Sequence, residues 1–110
     1  MNEIQIITDN TAETKDEIAR RLLQALETVG LTAEADVKLK TPVGETGRLR
    51  NSITHVTEES EKAVYIGTNT EYAPYVELGT SKMRAKPYLK PTIEKNAEKY
   101  KEIIKNTMSE

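Results

Sequence analysis

Cysteine, tryptophan and phenylalanine are absent from the 110 residues, and histidine occurs once, as His55. Without cysteine there is no thiol nucleophile, no disulfide and no thiolate metal site, and a lone imidazole cannot build a His-rich one. The five tyrosines are the only aromatic residues, so Ile, Leu, Val and Tyr must fill the interior. At this length roughly two-thirds of the unfolded surface can be buried, which makes a core feasible without metals or disulfides. No apolar run approaches the roughly 20 residues of a membrane span. The opening MNEIQIITDN carries neither the basic nor the apolar block of a secretion signal, so no membrane contact and a cytosolic setting are expected. Internal repeats, low-complexity segments and linkers are also missing, and residues 1–110 are expected to form a single domain.

Charge, in contrast, is plentiful and segregated. The chain holds 16 Lys+Arg against 18 Asp+Glu, a formal net charge of −2. Residues 1–36 carry three basic and eight acidic side chains, a net of −5, whereas residues 82–105 carry eight basic and three acidic, a net of +5. Such charges either solvate helix faces or let copies of the chain meet acidic face to basic face. The missing net basic character argues against generic nucleic-acid binding, although it leaves room for a local basic patch.

Patterning predicts an α+β fold. Glu3 to Thr8 reads EIQIIT, an alternation that predicts a short strand turned by Asp9 and Asn10. Thr14-Lys-Asp-Glu17 has capping-box spacing, so a helix is expected from there. Ile18, Leu22, Leu26, Val29, Ala33 and Val37 then lay one apolar stripe across Gly30 without a change of phase. We read one helix through Gly30; the alternative is that Gly30 caps one helix and Thr32 starts another. Pro42 stops it in either case, and the rod would be about 40 Å long. Arg48–Thr57 and Ala63–Thr68 read as an antiparallel hairpin joined by a polar loop. Glu71–Glu77 reads as a single helical turn around Pro74. Leu78–Lys90 shows no period, and a loop that long tends to be functional or mobile. Pro91 suits the first position of a last helix, with Ile93, Ala97, Tyr100 and Ile104 as its stripe. The expected architecture is thus a long N-terminal helix and a C-terminal helix packed on a small antiparallel β-sheet, with a long loop.

Chemistry-bearing constellations are few. Gly44-Glu-Thr-Gly47-Arg lacks the order of a phosphate loop and follows a helix rather than a strand. Glu58, Glu59 and Glu61 crowd a hairpin tip, where acidic residues serve solubility. His55 as a general base would need an orienting carboxylate and a nucleophile such as Ser52 or Ser81; a half-buried or interfacial histidine is the simpler reading. No catalytic residue, metal ligand or cofactor is expected. Tyr72, Tyr75 and Tyr88 cluster around the pattern-free loop with Leu78 and Met83, a mixture suited to surfaces that pack on one side and meet a partner on the other. Ordinary packing of the loop onto the sheet would explain part of that cluster. Arg48, Arg50, Lys82, Arg84 and Lys86 surround the same two turns. If those turns converge, they make a tyrosine-and-basic patch fit for an acidic protein surface or for passing DNA.

Four ordered motifs carry a resemblance: Thr41-Pro-Val-Gly-Glu-Thr-Gly-Arg-Leu-Arg-Asn-Ser-Ile53, Tyr65-Ile-Gly-Thr-Asn69, Glu71-Tyr-Ala-Pro-Tyr-Val-Glu-Leu-Gly-Thr-Ser81 and Lys86-Pro-Tyr-Leu-Lys-Pro91. Together they resemble the lambdoid-phage gene-product-ten-like family of minor tail or head–tail joining, tail-completion proteins, over residues from about Ala25 to the C-terminal helix. The family pattern commonly has Asp between the Val and Thr of the first motif, where this chain has Gly44-Glu45. The resemblance implies a non-catalytic structural subunit of the virion, made in the host cytoplasm, that forms a sixfold ring at the neck between a DNA-filled head and the tail tube. The partners it implies are further copies of the chain and other neck and tail proteins, with passing DNA in the lumen. The 78–90 loop and the acidic N-terminal half are the two faces expected to meet. The alternatives are a small nucleic-acid-binding module using the loops around Arg48 and Arg84, and a hydrolase built on His55.

Overall fold

The computed structural model describes residues 2–44 and 47–109, with side chains from Lys15 onward. Its elements in chain order are α1 (Asn2–Lys40), α2 (Arg48–Ser52), β1 (Thr54–Glu58), β2 (Ala63–Gly67), α3 (Ala73–Leu78), α4 (Lys90–Lys95) and α5 (Ala97–Ser109). This is the α+β arrangement of a long helix, a two-stranded antiparallel sheet and C-terminal helices.

α1 runs unbroken for 39 residues, about 58 Å at 1.5 Å per residue. It passes through Gly30 as expected, but it also takes in Glu3–Thr8, so the strand expected there is not formed. Ile4 and Ile7 are three apart, and a run so short satisfies a helical period as well as an alternating one. Thr14 therefore lies inside the helix rather than at its start, and its capping side chain is outside the described residues. Pro42 does end the helix: Lys40 is its last residue, and the Thr41 hydroxyl donates to the Val37 carbonyl at 2.6 Å. The Gly44-Glu45 step of the following turn falls partly outside the described residues.

Arg48–Ser52 forms α2 where a strand was expected. Gly47, at φ 64°, turns the chain in the left-handed region glycine tolerates and its carbonyl accepts from the Asn51 amide at 2.9 Å. Leu49 and Ile53, four apart, are both buried, and that spacing fits one face of a helix or of a strand. The strand starts only at Thr54. β1 and β2 pair in the register His55 with Ile66, Val56 with Tyr65 and Thr57 with Val64. His55, Thr57, Val64 and Ile66 are partly buried, while Val56 and Tyr65 face outward.

Two clusters hold these layers together. Val29, Ala33 and Tyr100 bring α1, β2 and α5 together, with Val64, Ile66, Ile103 and Ile104 around them. Val37, Leu49, Ile53, Ala73 and Tyr88 join the end of α1 to α2, α3 and the segment before α4. The Tyr100 hydroxyl donates to Asp36 at 2.8 Å, and Lys99 pairs with the same carboxylate at 2.7 Å. Burial and this bond to Asp36 push the Tyr100 phenol well above its ordinary value.

The C-terminal stripe holds its phase, yet the expected single helix is two. At Asn96 the side-chain amide donates to the Thr92 carbonyl at 2.8 Å, and the backbone leaves helical angles for one residue. Both clusters lie along the C-terminal half of α1, whereas residues 15–20 are all exposed. The molecule is accordingly elongated, 73 × 23 × 23 Å.

Candidate interaction surface

Sequence alone leaves Leu78–Lys90 without structure, but backbone hydrogen bonds fix it closely. Gly79 ends α3 with φ 79°, and a Cβ there would come within 2.8 Å of the Ala85 amide nitrogen. Only glycine lets the returning chain lie so close. The Thr80 hydroxyl accepts from the Lys82 and Met83 amides at 3.2 and 3.0 Å, the Thr80 amide donates to the Met83 carbonyl, and the Lys86 amide donates to the Val76 carbonyl.

Glu77 completes the tie. Its carboxylate accepts from the backbone amides of Tyr88, Leu89 and Lys90 at 3.0, 3.0 and 3.1 Å. Those amides open α4, whose N-cap Leu89 has no side-chain acceptor of its own. Burial alone would raise the Glu77 carboxyl, but the three amides and Lys90 outweigh it and hold it below the ordinary value. Nothing marked Glu77 in the sequence as more than a solvated acid. The available signal was indirect: a helix opening at Pro91 with Leu at its cap needs an acceptor from elsewhere.

The expected contact residues separate into core and surface. Tyr88 is 2% exposed and sits in the cluster around Val37, so it packs the interior rather than facing a partner. Tyr72 is half-buried, with the Arg48 guanidinium 5.4 Å above its ring. Tyr75, Leu78 and Met83 are exposed at 57, 78 and 40%. Val43, unremarked in the sequence, joins them at 59%.

The two turns do converge. A hollow of about 230 Å³ lies between α3 and the Pro42–Gly44 turn, walled by Val43, Leu49, Tyr72, Val76, Met83 and Lys86. A second, of about 440 Å³, lies on the other side of α3 between Thr70, Pro74, Leu78 and Leu89. Of the cations, Arg48 is held by both oxygens of Glu71 at 2.9 and 3.2 Å, and the Glu71 carboxyl is held low by its own backbone amide and by Arg48. Arg50 is half-buried, and Lys82, Arg84 and Lys86 are exposed with no ion pair among the described residues.

His55 does meet carboxylates, which the sequence did not foretell. Its Nδ1 lies 3.1 Å from Glu34 and its Nε2 3.4 Å from Glu27, and the Thr57 hydroxyl donates to the other oxygen of Glu27. The ring rests on the backbone of Gly30, where a Cβ would come within 2.4 Å of Cδ2. Burial lowers the imidazole's proton affinity, but the bonds to Glu34 and Glu27 outweigh it and raise its pKa above the ordinary 6.5. Glu27 is correspondingly held low by Thr57 and His55, and Glu34 by His55 and Lys38 against its burial.

This imidazole lines neither hollow. The Ser52 hydroxyl is elsewhere, donating to the Leu49 carbonyl and tied to Thr68 and Thr70. Ser81 sits in the exposed loop. The arrangement clamps the hairpin to α1 across Gly30; it does not assemble a base with a nucleophile. Among the described residues, no cluster of His, Asp and Glu has the geometry to hold a metal ion, and no helix is long and apolar enough to cross a membrane.

Fold and face together define a small α+β domain whose distinguishing surface is apolar, aromatic and cationic, gathered around α3 at one end of a long helix. A family described as "Bacteriophage HK97-gp10, putative tail-component" matches residues 6–79. The chain belongs to this HK97-gp10-like family, whose members are described as phage tail components. No curated protein and no solved structure matches it.

Proposed function

We propose that this protein is a structural subunit of the head–tail connector or tail-completion complex, working by ring-forming contacts with its own copies and with other neck and tail proteins. The ring proposed is sixfold, as the family resemblance implies. The reading rests on one observation above others: a tail-component family member presents Val43, Tyr75, Leu78 and Met83 to solvent around α3. Apolar and aromatic side chains gathered this way suit burial against another protein. The domain acts by contact and not by catalysis, with no cofactor, and its place is the virion after assembly in the host cytoplasm.

Electron microscopy of the purified protein mixed with tails lacking their completion protein tests this. Added density at one tube end, lost with Tyr75→Ser and Leu78→Ser together, is the expected result; bare tube ends at saturating protein would refute it. A second reading, nucleic-acid binding, has in its favour Arg84 and Lys86, which are exposed and make no ion pair among the described residues, although Arg48 is already committed to Glu71. It requires a retarded DNA band at low salt that weakens steeply as salt is added.

A further inference from the structure

The two ends of the molecule complement each other but cannot meet within one chain. At the α3 end, the stretch from Leu78 to Ile93 holds Lys82, Arg84, Lys86 and Lys90 and no acid. At the other end, the first 19 residues hold five acids and one base. α1 projects beyond the clusters that cover its C-terminal half, and from Lys15 to Arg20 it is exposed, including Ile18 at 47%. Ile18 and Leu22 continue the same apolar stripe that is buried further along as Leu26, Val29 and Ala33. A helical rod in a molecule 73 Å long keeps these ends apart.

We infer that the projecting acidic arm of α1 from one copy seats on the α3 face of the next, with Ile18 against the Val43 and Met83 hollow and the arm's carboxylates against Lys82, Arg84 and Lys86. The inference rests on the ring-forming reading above and specifies its surfaces. A helix laid in an apolar groove with charges along the rim is a recurrent mode of recognition. Because the two surfaces differ, the contact is head-to-tail, and it closes into a ring wherever the rotation between copies permits.

Charge exchange tests this on the full-length chain. One variant carries Lys82→Glu, Arg84→Glu and Lys86→Glu; the other carries Asp9→Lys, Glu13→Lys and Asp16→Lys. Sedimentation at low salt, from micromolar to millimolar protein, should show the wild type associating and added salt reversing it. Each variant alone should associate roughly tenfold more weakly or worse, since its faces now repel. An equimolar mixture of the two should recover association, because the reversed arm matches the reversed loop. Circular dichroism establishes that both variants are folded.

A wild type that stays monomeric throughout, a variant that associates as the wild type does, or a folded mixture that fails to recover would each overturn the inference. A monomeric wild type that still decorates tail ends would overturn it while leaving the proposed function standing. Association that follows the charges without decoration of tails would do the opposite.

Discussion

Replacing Glu77 isolates the interaction that gives an aperiodic loop its shape. The carboxylate holds three amides at the opening of α4. Hydrogen bonds to a charged group contribute about 1.5–3 kcal/mol each, and three that share one acceptor group add less than threefold. After Glu77→Ala the partly exposed amides regain some water, so the net loss should be about 2–3 kcal/mol, a fall of roughly 10–15 °C in Tm for a domain this size. Glu77→Gln should recover only part, because its amide oxygen can still accept from Tyr88 and Leu89 but carries no charge, and its NH2 group turns a donor toward the Lys90 amide. The pH dependence fixes the cause. The Glu77 carboxyl is lowered from 4.5, so its stabilisation is complete above that value and is lost as pH falls through the lower folded pKa. Chemical denaturation from pH 7 to pH 3 should therefore show the gap between wild type and Glu77→Gln narrowing below pH 4.5. A gap under about 0.5 kcal/mol at neutral pH, the scatter of ordinary surface substitutions, or one that does not change with pH, would refute the argument.

Substitutions at four further positions probe the other parts of the fold. Gly30→Ala should destabilise by about 1–3 kcal/mol even though Ala favours a helix, because the new methyl collides with the His55 ring and with Val64, and His55→Ala in the same chain should recover much of it in a double-mutant cycle. His55 has a raised pKa, so its clamp is at full strength below 6.5 and is lost as pH rises through the folded value; the wild type should lose stability between neutral and alkaline pH while His55→Gln does not, and titration of the ring protons by NMR should show a midpoint above 6.5. Tyr88→Ala should cost about 3–5 kcal/mol and leave little folded protein, whereas Tyr75→Ala should leave the melting curve within about 0.5 kcal/mol of the wild type and alter association alone.

The sequence made the long apolar stripes legible and the local conformations between them less so. One phase from Leu22 to Val37 needed a helix, and the Pro42 stop and the antiparallel hairpin followed from rules that act over a few residues. Leu49 and Ile53 misled because four-residue spacing belongs to both periods, and the deciding element was the left-handed turn at Gly47. Asn96 breaks the last helix through its own side chain without disturbing the stripe, so periodicity could not register it. In the site, Tyr75, Leu78 and Met83 are on the surface and Tyr88 is not, a distinction set by how residues 80–90 are pinned to α3. Those ties are backbone amides meeting Glu77, Val76 and Thr80, and amides carry no sequence signature. The meeting of His55 with Glu27 and Glu34 depends on register between a strand and a helix more than 20 residues away, which composition cannot supply.

The size of the exposed face bears on how assembly would proceed. Val43, Tyr75, Leu78 and Met83 are each only part exposed, so burying them against a neighbour would contribute roughly 4–6 kcal/mol together. Association costs an estimated 4–15 kcal/mol in lost freedom and ordering, so one such contact, even with its charge pairs, holds two copies together weakly. Closing a ring changes the balance, because the last contact forms between subunits already joined and carries no second association cost. A head-to-tail contact of this strength should therefore yield monomers and closed rings with few open intermediates, and a surface that gathers copies should promote closure at concentrations where free subunits remain single. Sedimentation profiles dominated by dimers and trimers over a broad concentration range would contradict that, and would place more of the binding energy in the individual contact than these four side chains provide.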